Sequence, residues 1–204
     1  FYENMAGKGF RKKSIAITGL WTAAVFFDAD QDGWDDLYLG HFVDYDPAKE
    51  PACKYGENYH YCHPLSYPPH ASKLLKNLEG RGWKDVSIES GIGAHPGKAF
   101  GAVAADFNGD GHLDLFVAND SVANFLFVNQ GGMRFEEKGL EANVAYSSDG
   151  NPRSGMGVDA ADYDGDGRED LFVANFNRER FSIYRNLPGR ELNFRDEAGP
   201  TGIG

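Results

Sequence analysis

What the sequence has little of narrows it first. It has no surplus of basic charge: 20 Lys and Arg stand against 31 Asp and Glu, for a formal net charge of -11. Phosphate backbones repel so acidic a chain, which argues against nucleic-acid binding as the main role. No apolar run approaches the ~20 residues that a membrane-spanning helix needs. There are only 2 cysteines and no C-x-x-C-H stretch, so covalent haem has no support. No secretory leader is visible; the chain opens at Phe1 with Tyr-Glu-Asn, as a mature chain or an excerpt would. What is present suits a folded, β-rich protein. The chain has 204 residues, 41% of them hydrophobic and 14% aromatic, enough for one good core or two small domains.

One acidic loop is written three times: FDADQDGWDDLYL from Phe27, ADFNGDGHLDLFV from Ala105 and ADYDGDGREDLFV from Ala161. Each copy reads D-x-[DN]-x-D-G-x-x-D and runs into a Leu/Phe/Val/Tyr stretch. Calcium is a hard cation that takes about six to eight oxygen ligands, and a tight loop can offer them from alternate residues. The first loop offers Asp28, Asp30, Asp32 and Asp36, with the carbonyl of Trp34. The second offers Asp106, Asn108, Asp110 and Asp114, with the carbonyl of His112. The third offers Asp162, Asp164, Asp166 and Asp170, with the carbonyl of Arg168. The seventh position varies freely in side chain, as expected where only its carbonyl is used. Gly33, Gly111 and Gly167 each follow the third ligand, where a sharp turn is easiest without a Cβ.

An EF-hand needs a bidentate Glu at loop position twelve. Position twelve here is Leu39, Val117 or Val173, and the acid comes at position nine. The segments LDLFVAN and EDLFVAN favour strand over the helix that would flank an EF-hand. One such loop alone could be an ordinary Asp/Gly-rich turn; three at matched spacing favour calcium. Three bound ions would bring the formal charge from -11 to about -5.

The loops belong to a larger repeat. Each unit carries an aromatic or aliphatic residue shortly before an Asn, at Asn4, Asn77, Asn129 and Asn186. Phe10, Trp83 and Phe135 follow the first three after six residues, and Phe194 follows the fourth after eight. A small-residue strand then precedes each acidic loop: TAAVFF, GAVAADF and GVDAADY. The second and third loops start 56 residues apart, at Asp106 and Asp162. Four short strands fit that period; in the second unit they are expected near 102–107, 113–118, 124–129 and 133–138. The expected fold class is all-β, a β-propeller of four-stranded blades with the acidic loop between the first and second strand of each. A β-solenoid or a stack of sandwiches is the alternative. About three units are present, and residues 1–204 are expected to form one propeller segment. The first unit is longer by about 26 residues, an insertion at roughly 44–69 that is expected to be a surface loop.

FGAVAADFNGDGHLDLFVAN, from Phe100, resembles the FG-GAP/VCBS type of repeat, and GMGVDAADYDGDGREDLFVANF with the recurrent N-x(6)-F step is similar to the UnbV/cartilage-acidic-protein group. The resemblance covers nearly the whole chain. It implies a calcium-stabilised propeller, usually of seven blades and mostly extracellular, with calcium on the twelve side chains named above. Because this chain holds about three units, it implies either a piece of a longer protein or partial rings that pair between chains.

Cys53 and Cys62 lie inside the insertion and are expected to form a disulfide in an oxidising compartment. His60 and His63 flank Cys62, so a Cys/His metal site and two free thiols are the other readings. Tyr55, Tyr59, Tyr61 and Tyr67 could stack on sugar rings or a protein partner, or pack against the protein's own side. Asn119-Asp120-Ser121 is a glycosylation sequon, though Asn119 also ends an expected strand and suits a structural role. Arg11-Lys12-Lys13 reads as a solvated strand edge.

The leading functional expectation is a non-enzymatic, extracellular calcium-binding module, structural or adhesive, that meets a glycan or protein partner. A calcium-assisted polysaccharide lyase or hydrolase is the alternative, with His60, His63 and Tyr61 beside Lys54 as the only nominated cluster. A subunit of a surface filament or other assembly is the third.

Overall fold

The computed structural model describes residues 1–203. Strand β1 (Tyr2–Asn4) pairs with β2 (Phe10–Lys12) in a two-stranded hairpin. β3 (Trp21–Phe27) and β4 (Asp36–His41) open the first four-stranded sheet. The connection that follows holds β5 (Lys54–Tyr55), β6 (Asn58–Tyr59) and β7 (His70–Ala71). β8 (Lys73–Asn77) and β9 (Trp83–Asp85) complete that sheet, and β10 (Pro96–Gly97) pairs back on β7. The second sheet is β11 (Ala99–Ala105), β12 (Asp114–Asn119), β13 (Phe125–Asn129) and β14 (Phe135–Glu137). The third is β15 (Gly155–Ala161), β16 (Asp170–Asn175), β17 (Ser182–Asn186) and β18 (Phe194–Asp196). One short helix, α1 (Ala198–Thr201), follows.

Each four-stranded sheet is an antiparallel meander in sequence order. That order is incompatible with the parallel coils of a β-solenoid. The four strands expected in the second unit are all present, with bounds shifted by up to three residues. β11 starts earlier than expected because pairing continues past a bulge between Ala99 and Gly101. The same bulge recurs between Trp21 and Ala23 and between Gly155 and Gly157, so it is part of the repeat.

The recurrent Asn and aromatic residues close one hairpin. Asn4 pairs with Phe10, Asn77 with Trp83, Asn129 with Phe135 and Asn186 with Phe194. The two extra residues before Phe194 lengthen the turn and leave the register intact.

The sheets stack face to face, with the first strands β3, β11 and β15 as neighbours. Small residues there permit close approach: a Cβ on Gly101 would sit 2.4 Å from the Met156 carbonyl oxygen. Phe27, Tyr38 and Leu74 of the first sheet pack on Leu115, Val117 and Phe127 of the second. Phe116, Leu126 and Val128 pack on Leu171, Val173 and Tyr184 of the third. Each large apolar side chain so buried stabilises the fold by roughly 1.5–3 kcal/mol. The second strands of the first two sheets, β4 and β12, are covered on both faces, which is why LYLGH and LFVAN there read as near-continuous apolar runs. A third cluster joins Leu37, Leu39 and Leu75 to Ile15, Ile17, Trp21 and Trp83.

The described residues do not close a ring. Tyr38 and Phe116 are each 0% exposed between sheets, whereas Phe172, at the same place in the third sheet, is 37% exposed and meets the Phe181 ring edge to face.

The insertion is more ordered than a plain surface loop. Cys53 and Cys62 form a disulfide, with Cα atoms 5.3 Å apart, which removes the Cys/His metal reading and the free thiols. Two 3₁₀ turns, Pro47–Lys49 and Pro64–Ser66, are capped by Asp46 and His63. Among the described residues, no helix is long and apolar enough to cross a membrane.

Candidate metal centres

All three acidic loops connect the first and second strands of their sheets: β3 to β4, β11 to β12 and β15 to β16. Their backbones share one conformation. Gly33, Gly111 and Gly167 take φ of +86°, +88° and +87°, and the residue two places earlier is also left-handed: Gln31 at +61°, Gly109 at +73° and Gly165 at +77°. The left-handed glycine position turns the chain back so that loop amides face the first acid. Asp28 accepts from Asp32 N at 3.1 Å and Gly33 N at 2.8 Å. Asp106 accepts from Asp110 N at 3.1 Å and Gly111 N at 2.8 Å, and Asp162 repeats this with Asp166 N and Gly167 N at 3.0 and 2.8 Å. These amides hold the Asp162 carboxyl below the usual carboxylate range, with Gly167 the largest influence. The fifth-position acid turns onto the amide of position seven: Asp32 to Trp34, Asp110 to His112 and Asp166 to Arg168.

The ninth-position acids do a second job. Asp36, Asp114 and Asp170 are buried. One oxygen of each accepts from the start of its own loop, from Ala29 N, Phe107 N or Tyr163 N at 3.1, 3.1 and 3.2 Å. The other accepts from the strand-ending asparagine, from Asn77 N, Asn129 N or Asn186 N at 2.8, 2.8 and 2.7 Å. Burial pushes the Asp36 carboxyl up to about 6 and the Asp114 carboxyl up to about 7, and it raises Asp170 as well.

Those same asparagines tie sheet to sheet. Asn129 Nδ2 donates to Ala29 O at 2.8 Å, and Asn186 Nδ2 donates to Phe107 O at 2.7 Å. The asparagine repeat is visible in the sequence, but its role as a brace between loops depends on how the sheets stack. Also beyond a motif-based reading are the cations Lys76 and Arg185. Lys76 Nζ pairs with Asp30 and lies 3.1 Å from Asp32; Arg185 lies 2.5 Å from Asp164 and 3.4 Å from Asp166. Arg168, taken from sequence for its carbonyl alone, also turns its guanidinium onto Asp166.

The donor set fits a hard divalent cation. Oxygens of Asp28, Asp30 and Asp36 lie within 4.8 Å of one another, as do those of Asp162, Asp164 and Asp166. Asp30 Oδ1 is buried with no hydrogen-bond partner, an oxygen that an ion would satisfy. In the second loop Asn108 Nδ2 donates to Asp110 Oδ2 at 2.9 Å, drawing those two ligands together.

The other candidates fall differently. Asn119 is buried, its Oδ1 accepting from Lys98 N at 2.9 Å and its Nδ2 donating to Ala123 O at 2.7 Å, so the sequon is structural and closed to a glycan. Arg11 and Lys13 pair with Glu3 across the first hairpin. Tyr55, Tyr59 and Tyr61 stand in solvent, while Tyr67 bonds to Glu50. Tyr59, His60, Tyr61 and Tyr67 line a groove of about 840 Å³ with Phe42 and Tyr45, beside the disulfide. Of the nominated lyase cluster, His60 and Tyr61 line this groove, Lys54 sits 4.6 Å over the Tyr59 ring, and His63 Nδ1 accepts from Leu65 N at 3.2 Å.

Stacked antiparallel four-stranded sheets, each with an acidic loop on its first hairpin, define a propeller-like repeat protein. Residues 106–173 match the family model of the FG-GAP-like repeat, so this part of the chain carries that repeat. It is 30% identical over 137 residues to cartilage acidic protein 1 of Homo sapiens, and equally to that of Mus musculus. The match covers 67% of this chain but only 20% of each relative.

Proposed function

We propose that this chain is a non-enzymatic, extracellular module in which three calcium ions brace a β-propeller. Each ion is held by the acids of one loop: Asp28, Asp30, Asp32 and Asp36; Asp106, Asn108, Asp110 and Asp114; Asp162, Asp164, Asp166 and Asp170. The seventh-position carbonyls of Trp34, His112 and Arg168 complete the sets. The observation that carries this reading is the shared loop geometry, with left-handed glycines at nearly one φ and the first acid clasped by loop amides in all three copies. The Cys53–Cys62 disulfide and the likeness to a protein named for cartilage support an extracellular setting. The role is structural or adhesive, and the aromatic groove of the insertion is the surface offered to a glycan or protein partner.

Calcium stabilises by linkage, by about 2.7 kcal/mol per site at a hundredfold excess over the dissociation constant. Excess EDTA should therefore lower the melting temperature by many degrees, and calcium should restore it. An unchanged melt would count against the module as described. A second reading, in which the sheets are completed by another blade from a longer chain or a second copy, is favoured by the open Phe172–Phe181 face. Light scattering that finds a strict monomer removes the second copy.

A further inference from the structure

The three loops differ by a paired change. Where the third loop position is an acid, Asp30 or Asp164, the residue before the strand-ending asparagine is a cation, Lys76 or Arg185. Where it is the neutral Asn108, that residue is Val128. The three residues occupy one register, opposite Lys84, Glu136 and Arg195 on the fourth strand. Lys76 bridges Asp30 and Asp32, and Arg185 bridges Asp164 and Asp166. Val128 instead packs into the apolar core against the third sheet. Four ligand carboxylates and one ammonium in the first loop leave the same negative charge as the three ligand carboxylates of the second.

We propose that Lys76 and Arg185 set the calcium affinity of their loops, weakening the first and third relative to the second while keeping them folded without metal. The inference rests on the calcium reading above. The cation and the ion need the same oxygens, so the ion must displace the side chain or bind beside it. Two cations on shared carboxylates repel, and these groups are partly buried, where salt screens weakly. Without metal, the same cation relieves the repulsion among acids that the second loop leaves to be relieved by calcium. Ligand charge is a known lever on calcium affinity across oxygen-ligand loops.

The sequence supplies its own reporters. Trp34 lies in the first loop and Tyr163 in the third, so terbium luminescence excited through each ring, displaced by calcium, reads those two sites in the whole chain. Trp34→Phe identifies the first-loop signal, and calorimetry with calcium reads the second loop. In the wild type the second loop should bind tightest. Lys76→Met should tighten the first loop about tenfold and lower the metal-free melting temperature; Arg185→Met should do the same for the third. Val128→Lys should weaken the second loop by a similar factor. Val128 packs in the core, so Lys76→Gln, a polar and uncharged side chain at a partly exposed site, carries the test if Val128→Lys or Lys76→Met fails to fold. Calcium binding with unaltered affinities in these variants overturns the inference and leaves the calcium reading standing. No terbium signal and no calcium heat in any variant overturns both.

Discussion

Asn129 reaches out of its own sheet to donate a hydrogen bond to the carbonyl of Ala29, 2.8 Å away and 100 residues earlier in the chain. The same amide donates to Leu113 O at 3.0 Å, and its Oδ1 accepts from Gly131 N at 2.9 Å. One buried side chain thus ties the loop of the first sheet, the loop of the second and the turn between β13 and β14. Asn186 makes the matching bonds to Phe107 O and Glu169 O. Asn129→Ala would leave two carbonyls without this donor at a buried site. We expect a loss of about 2–4 kcal/mol in urea unfolding. Asn77→Ala, whose amide reaches only the Asp35 carbonyl, should cost less. Equal losses for the two would mean that the bond between sheets adds little.

Two glycines separate backbone strain from crowding. A Cβ on Gly111 would meet nothing within 4 Å, yet φ there is +88°. Gly111→Ala should therefore cost about 1–2 kcal/mol through conformation alone, and it should loosen metal binding because the loop amides move. At Gly101, φ is ordinary but the Met156 carbonyl oxygen lies 2.4 Å from the added Cβ. Gly101→Ala should be the more damaging to the stack, with no selective effect on the second loop. Thermal melts with and without calcium tell the two apart.

The disulfide should act locally. Cys53 and Cys62 are 9 residues apart within one connection and bridge nothing between sheets. Loop closure of that size contributes roughly 2–3 kcal/mol to the segment it encloses. Cys53→Ser with Cys62→Ser should speed amide exchange in the connection between β4 and β8 and leave the three sheets as protected as before. A global loss of protection would show that the insertion is a structural member of the stack.

How far the sequence alone reached follows from the range of each interaction. The acidic loops were legible because the bonds from loop amides to the first acid span five residues or fewer, as from Asp106 to Gly111. The four-strand unit was legible because the N-x(6)-F step is one hairpin, Asn129 opposite Phe135. Element bounds drifted where a bulge, at Ala99 and Gly101, prolonged pairing beyond the alternating pattern. In the insertion the Cys53–Cys62 disulfide was legible from the two cysteines, whereas the two capped turns were not, because they rest on single side chains rather than on periodicity. Lys76 and Arg185 were passed over because they lie in the third strand, and only the antiparallel fold carries them back to the first loop of the same sheet. The inter-sheet reach of Asn129 and Asn186 belongs to stacking, which no local pattern records.

Acidity should report on the ninth-position acids. Burial sets the Asp36 carboxyl at about 6 and that of Asp114 at about 7, whereas an unfolded Asp titrates near ~3.9. A raised carboxyl pKa means that the folded state holds the proton more firmly. This contribution to metal-free stability is complete below about pH 4 and is lost as pH rises through 6 and then 7. Asp32 and Asp162 run the other way, since their carboxyls are lowered and their contribution fails in acid. Calcium wants the ninth acids ionised, so binding should expel protons, and affinity should climb from pH 5.5 to 7.5. Calorimetry in two buffers of different ionisation enthalpy measures that release directly. Asp114→Asn should shrink it at pH 6.5, and the metal-free variant should keep its bond from Asn129 N through the amide oxygen. If the heats are the same in both buffers at pH 6.5, then Asp36 and Asp114 are already charged without metal, and the proton has no hold over them.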